Sequence, residues 1–300
     1  MFNRKQYIIT IVALALLIVG AAVASIAFQL FDPIFVFLGA SMGYLYIKYR
    51  VSGPLQLFST KFNMFVDYDL DLTAALSLCK EQLDNAPVSS VAEVYRWYYG
   101  MAQYYAGDYE TAIRTLNQVE LKRMNPVYQV LIFVFIAYAA YELDDMDTFA
   151  TQIERIEGVK ARIPGKYQGF VTNYTEILSA IQHKEVALDQ YKEMVEKHFS
   201  REDGYISTKL IYNYRLAAYY DLIGDALEKD KCLAFVIANG KEHHTAIQAK
   251  KRFTNLVNVE DFVYDIEAER EKREAAAAAQ DAIPAEQPAI EESPKDDKEE

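Results

Sequence analysis

The residues able to do chemistry are few and scattered. His243 and His244 form one adjacent histidine pair, and successive side chains on a helix point apart, so a shared metal is not expected there. Cys79 and Cys232 stand far apart in the chain, and Cys232 is not at a zinc-like spacing from the histidines. Asp144, Asp145 and Asp147 resemble a fragment of a calcium loop, but the loop's glycine and closing glutamate are missing, and the trio reads better as a helix cap. No glycine-rich phosphate loop is present, and no serine or cysteine sits in a nucleophile motif. The pattern therefore implies no enzyme, no metal and no cofactor.

Charge narrows the remaining classes. The formal net charge is −12 with no basic stripe, which argues against nucleic acid. Much of it is concentrated at the end. Glu267 to Glu300 carries twelve acids against five bases, and Pro284, Pro288 and Pro294 interrupt it. Residues 260–300 are expected to extend a charged helix and then become a disordered acidic tail, because such a segment buries too little apolar surface to offset chain entropy.

The elements that hold the rest begin with two apolar runs. Tyr7 to Phe31 carries no charge and exceeds the roughly 20 residues a helix needs to cross a hydrocarbon core. Its ten Leu, Ile and Val residues between Ile8 and Val23 give about −3 to −6 kcal/mol toward insertion. Ala22-Val23-Ala24 also looks like a small-residue cleavage site, so a removed signal segment is the competing reading. Ile34 to Ile47 is a shorter run, with Tyr44, Tyr46 and Tyr49 at its end as an interfacial belt and Lys48 and Arg50 placed to snorkel to the head groups. With Asp32-Pro33 as the turn, residues 1–50 are expected to form a transmembrane helical hairpin. Gly39 and Gly43, and Gly20 with Ala24, are small residues at four-residue spacing that let helix backbones approach in lipid. Arg4 and Lys5 before the hairpin and Lys48, Arg50 and Lys61 after it favour a two-pass protein of the plasma membrane with its body and C-terminus cytoplasmic. Two cysteines fit a reducing compartment.

Residues 51–66 read as a connector. Leu55, Phe58, Phe62 and Phe65 at helical spacing suit either an interfacial helix or the start of the first repeat. From 67 to 259 the periodicity is helical throughout, so the chain is expected to be all-α.

An internal period runs through this body. Its clearest unit holds Trp97-Tyr98-Tyr99-Gly100, Tyr104-Tyr105, Gly107-Asp108-Tyr109 and Ala112-Ile113. This unit resembles the tetratricopeptide repeat, a pair of antiparallel helices. The resemblance implies that Gly100 and Ala112 are the small residues where the two helices meet and that Gly107-Asp108 is their turn. Positions equivalent to Ala112 are read at Ala75, Phe149, Ala187 and Lys229, spaced 37, 37, 38 and 42 residues, against about 34 for such repeats. Ala137 would be the small contact opposite Phe149, and Ala217 with Gly224-Asp225 marks the last unit. Stacked pairs bury the face each cannot bury alone and form an α-solenoid with a concave surface.

The family resemblance also implies that the first helix of each pair lines that concavity. Trp97, Met101, Tyr104 and Tyr105 would then face the groove, followed by Val134, Tyr138 and Tyr141, and by Tyr214 and Asp221. Trp97 and Met101 stand where carboxylate-gripping relatives carry a basic residue and an asparagine, so an aromatic, Met-containing groove for an amphipathic helix or apolar segment is expected. The same aromatics could instead pack between helices. The reading is a membrane-anchored protein-interaction adaptor. The alternatives are an accessory subunit of a membrane complex joined through its transmembrane helices, and an enzyme with a cryptic site.

Overall fold

The computed structural model describes residues 4–28, 33–200, 204–265 and residue 271, all of the regular structure among them helical. Contacts group residues 1–263 into one unit and 264–300 into another. The acidic tail falls almost wholly outside the described residues, as does Asp32 of the expected hairpin turn.

Helix α1 (Arg4–Phe28) is the one described helix long and apolar enough to cross a membrane, over Arg4–Ala27. Its Ile9, Leu16, Leu17 and Ile26 point outward. Helix α2 (Pro33–Asn63) corrects the boundary read at residue 50: it runs without a break through Pro54 into a π-helical turn at Met64–Asp69. No separate connector exists at 51–66. Pro54 removes one backbone donor from this helix. The gain comes four residues on, where Phe58 and Phe62 meet edge-on the rings of Tyr95 and Tyr98 at 4.7–5.0 Å. The second apolar run and the first core element are thus one rod.

Small residues at the membrane end divide. A Cβ on Gly43 would lie 3.6 Å from Leu14 of α1, so this glycine faces the neighbouring helix, whereas Gly20 and Gly39 open onto empty space. Ala24 is partly buried on α1.

The body continues as α3 (Leu72–Asp84), α4 (Ser89–Tyr105), α5 (Tyr109–Asn117), α6 (Pro126–Glu142), α7 (Met146–Lys160), α8 (Gln168–Gln182), α9 (Leu188–Phe199), α10 (Ile206–Ile223), α11 (Ala226–Asn239) and α12 (His244–Arg252). Successive helices pack on one another. Three joints share one geometry. At Gly107-Asp108, Asp144-Asp145 and Gly224-Asp225 the first residue is left-handed, with φ of 81°, 59° and 78°. Its N–H donates three residues back and the aspartate N–H five residues back. That aspartate then caps the next helix, its Oδ1 accepting from Thr111, Thr148 or Glu228 at 3.0–3.2 Å. One Asp therefore closes one helix and opens the next. Glycine suits the left-handed position, and Asp144 is among the few side chains that tolerate it. Asp71 caps α3 in the same way after left-handed Leu70, behind the wider π turn.

Between α8 and α9 this device is missing. Ala187 is the N-cap of α9 without a side-chain cap, so it is not the inter-helix contact expected of it. Tyr191, whose N–H donates to the Ala187 carbonyl, holds the position occupied by Ala112 in its own unit. The register slipped by four because no αL residue and Asp mark this turn. Gly100, Ala112, Ala137 and Ala217 are buried as expected. Lys229 stands between helices through a 3.3 Å ion pair to Asp221 of α10, which explains a cation where a small residue was expected.

The body also closes on itself. Ser207 of α10 donates to Asp67 at 2.8 Å, Tyr205 meets the Tyr68 ring, and Lys241 donates to the Asp69 carbonyl at 2.5 Å. Beyond α12, Asp230, completely buried, accepts from Thr254 N, Thr254 Oγ1 and Leu256 N at 2.9–3.1 Å. A 3₁₀ turn at Val259–Phe262 then receives a hydrogen bond from Asn239 to the Phe262 carbonyl, so the packed body reaches past the boundary read at 259.

Candidate functional site

Closure of the body leaves a cavity of about 380 Å³ on its inner face. Helix α4 contributes Tyr104 and Tyr105, α6 contributes Phe135, Tyr138, Tyr141 and Glu142, and α8 contributes Phe170, Asn173, Tyr174 and Ile177. The far wall comes from Tyr191, His198 and Phe199 of α9 and from Ile211, Tyr214, Arg215 and Ala218 of α10, with Lys184 at the rim. His244, Thr245 and Arg252 of α12 complete it.

Sequence reading found part of this wall and misplaced the rest. Tyr105, Tyr138, Tyr141 and Tyr214 line the cavity, as does the inner edge of Tyr104. Trp97 does not: it is 4% exposed, with the Tyr98 and Tyr128 rings at 4.5 and 4.9 Å, and belongs to the core. Val134 is fully buried and Met101 packs against both core clusters. The reason lies in the helices on either side. A helix flanked by neighbours on two faces buries nearly its whole circumference, and α6 is apolar all round. Asp221 is not a groove residue either. It bridges Lys229 and Arg252 at 3.3 and 3.2 Å. Burial works against its charge, but the bonds from Arg252 and Lys229 prevail and hold its carboxyl below the usual range.

The histidine pair is the largest departure. His243 is the N-cap of α12 with extended backbone (φ −61°, ψ 140°), not a helical residue, so its ring does not point away from that of His244. The two centroids are 4.6 Å apart. His243 is 0% and His244 2% exposed. They dock on the α4–α5 joint: His244 lies 4.5 Å from the Tyr104 ring and its Nδ1 meets Tyr109 Oη at 3.2 Å, while His243 faces Tyr105. Thr245 N donates to His243 Nδ1 at 3.3 Å, so that nitrogen carries no proton. Burial depresses both imidazoles, His243 to about 3 and His244 well below its ordinary value, so both are neutral. Each Nε2 has no hydrogen-bond partner. Among the described residues no group of three or more His, Cys, Asp and Glu is placed to hold a metal ion.

Two half-buried ionisable groups stand on the cavity wall. Arg215 sits in the middle of α10, its guanidinium 5.2 Å from the Tyr138 ring and 5.0 Å from that of Phe199. Its Nε has no hydrogen-bond partner. Glu142, at the end of α6, accepts from Tyr214 Oη at 3.4 Å. Burial raises its carboxyl above the ordinary range, against the opposing pull of Arg215. Burial likewise lifts the hydroxyls of Tyr104, Tyr105 and Tyr138, which therefore stay protonated and able to donate. The sequence signal for Arg215 was a lone cation in the aromatic stretch Tyr212–Tyr220 of a helix otherwise facing inward. The arrangement holds a positive charge among aromatic rings and hydroxyl donors, in a partly open cavity. Comparison with protein-family models, with curated proteins and with solved structures gives no match to this chain.

Proposed function

We propose that this chain is a bilayer-anchored interaction protein, a tetratricopeptide-like array of helix pairs moored by its amino end. Helix α1 would be the anchor. The apolar first half of α2, with Phe35, Phe37, Leu38 and Met42 exposed, would return through the bilayer and lead directly into the body. Arg4, Lys5, Lys48, Arg50 and Lys61 favour both ends, and so the body, on the cytoplasmic side.

The observation that carries this reading is the recurrence of one αL–Asp joint between three helix pairs of an all-helical body. Paired-helix arrays of this kind serve widely as scaffolds for partners, so the step from architecture to binding is one of fold analogy. The partner that suits the inner face is a short extended apolar segment. A helix about 10–12 Å across does not fit a cavity of 380 Å³, whereas one or two side chains do. Tethering raises the local concentration of such a partner, so modest affinity suffices.

A photo-crosslinking residue at Tyr141 in the full-length chain, compared with one at exposed Glu154 on α7, tests the reading. A discrete protein adduct from position 141 and none from 154 supports it. Equal adducts from both, or none from 141, contradict it. The open faces of Gly20 and Gly39 favour a second reading, an accessory subunit joined to other membrane helices. In that case Gly20→Leu would abolish co-purification of a membrane partner while leaving the Tyr141 adduct intact.

A further inference from the structure

The inner cavity carries a guanidinium that no carboxylate of the described residues meets in an ion pair. Arg215 lies inside the body, and among the described residues no carboxylate comes within ion-pair distance of it. Its contacts are the ring faces of Tyr138 and Phe199 and the Tyr191 hydroxyl, and its Nε has no hydrogen-bond partner. Burying a guanidinium in this way costs stability unless something compensates. The one acid on the wall, Glu142, compensates only in part: it lies beyond ion-pair distance, accepts from Tyr214, and is raised by burial against the pull of Arg215. Arg252 is already occupied by Asp221, and Lys184 rests on the Tyr141 hydroxyl and ring. In a chain of net charge −12, the interior of this body is thus locally positive.

We infer that the cavity is a binding site for a small organic monocarboxylate with a flat apolar body, its carboxylate on Arg215 and its body between the Phe135, Phe170 and Ile177 walls. Three features set that class. A volume of 380 Å³ lies within the range of small-ligand sites and outside that of a folded peptide element. A planar guanidinium whose Nε lacks a partner matches a carboxylate in a fork, and neighbouring tyrosine hydroxyls supply further donors. The aromatic walls prefer a planar apolar body, which excludes a bare inorganic anion as the best occupant. This inference concerns the same cavity as the protein-partner reading but a different occupant, and the crosslink at Tyr141 and the probe titration test the two separately.

The test uses the full-length chain in phosphatidylcholine nanodiscs, with empty nanodiscs subtracted. The probes are 6-fluoro-2-naphthoate and its neutral amide, followed by fluorine NMR titration. Saturable one-site binding of the naphthoate is expected, with the amide weaker by about tenfold or more, as a charged hydrogen bond requires. Arg215→Met should bring the two probes to equal affinity. Absence of saturable naphthoate binding, equal affinity for acid and amide in the parent chain, or an undiminished preference in Arg215→Met would each overturn the inference. Ala218→Phe, which fills the cavity from α10 without touching the charge, should exclude both probes. If Arg215→Met fails to fold, retention of naphthoate by Ala218→Phe overturns the site.

Discussion

Acidification should loosen α12 from the inner face, and the size of the effect follows from the two buried histidines. In the docked state both imidazoles are neutral, with His243 at about 3 and His244 well below 6.5. Once α12 undocks they regain ordinary behaviour near 6.5. Below that pH the undocked form binds protons that the docked form refuses, so docking weakens as pH falls. Each histidine then contributes about 1.4 kcal/mol per pH unit, or about 2 kcal/mol between pH 7 and 5. Two of them shift the undocking equilibrium by about 4 kcal/mol, nearly a thousandfold. Groups packed around the pair also titrate. Glu142 and Asp67 are raised by burial, so their protonation eases strain as pH falls and acts in the opposite sense. His243→Asn with His244→Gln keeps those carboxyls and an N-cap side chain, so the difference between variant and parent isolates the imidazoles. Hydrogen exchange of α12 amides in the full chain, corrected for intrinsic rates, measures it. Protection in the parent should fall between pH 7 and 5 by about three decades more than in the variant. Equal pH dependence in the two would show that the histidines are protonated or hydrated while docked, and the burial argument would fail.

Other perturbations address the packing. A Cβ at Gly100 would lie 2.6 Å from Leu116 Cγ, so Gly100→Val should destabilise by about 3 kcal/mol and lower the melting temperature; an unchanged melt would deny the α4–α5 contact. Asp108→Ala and Asp225→Ala should each cost about 1 kcal/mol and add in the double variant, because the two caps bond different backbone donors; strong non-additivity in thermal melts would count against independent joints. Asp230→Ala strips the backbone donors of Thr254 and Leu256 and should cost about 3 kcal/mol, read as new proteolysis within 253–262. Burial raises both thiols, Cys232 to about 12 and Cys79 higher still, so neither should react with iodoacetamide at pH 8 until the protein is unfolded.

What could be read from the sequence follows from how local each signal is. Helix α1 is visible in composition alone, and the Gly107-Asp108, Asp144-Asp145 and Gly224-Asp225 joints are visible because a left-handed residue and its Asp cap lie side by side in the chain. The α8–α9 turn uses neither device, and there the alignment settled on Ala187 in place of Tyr191. Contacts across the body left no such mark. His244 meets Tyr109 across 135 residues, and nothing near either residue announces the other. Periodicity gives no direction to α6, whose circumference is buried almost throughout, so Val134 belongs to the core and not to a groove; Trp97, on α4, is core because the Tyr128 ring of α6 covers it. The continuity of α2 was hidden by Pro54, a residue that usually ends a helix and here is outweighed by the stacking of Phe58 and Phe62.

The proposed anchoring and cytoplasmic placement of the body are tested most directly by labelling Glu154→Cys, on the exposed side of α7, with a membrane-impermeant maleimide. Because Cys79 and Cys232 are buried, the new thiol is the reactive one in the native chain. The account predicts a protein that stays in the membrane pellet after an alkaline wash and is labelled only once cells are opened. Labelling in intact cells, or release into the wash, would contradict it.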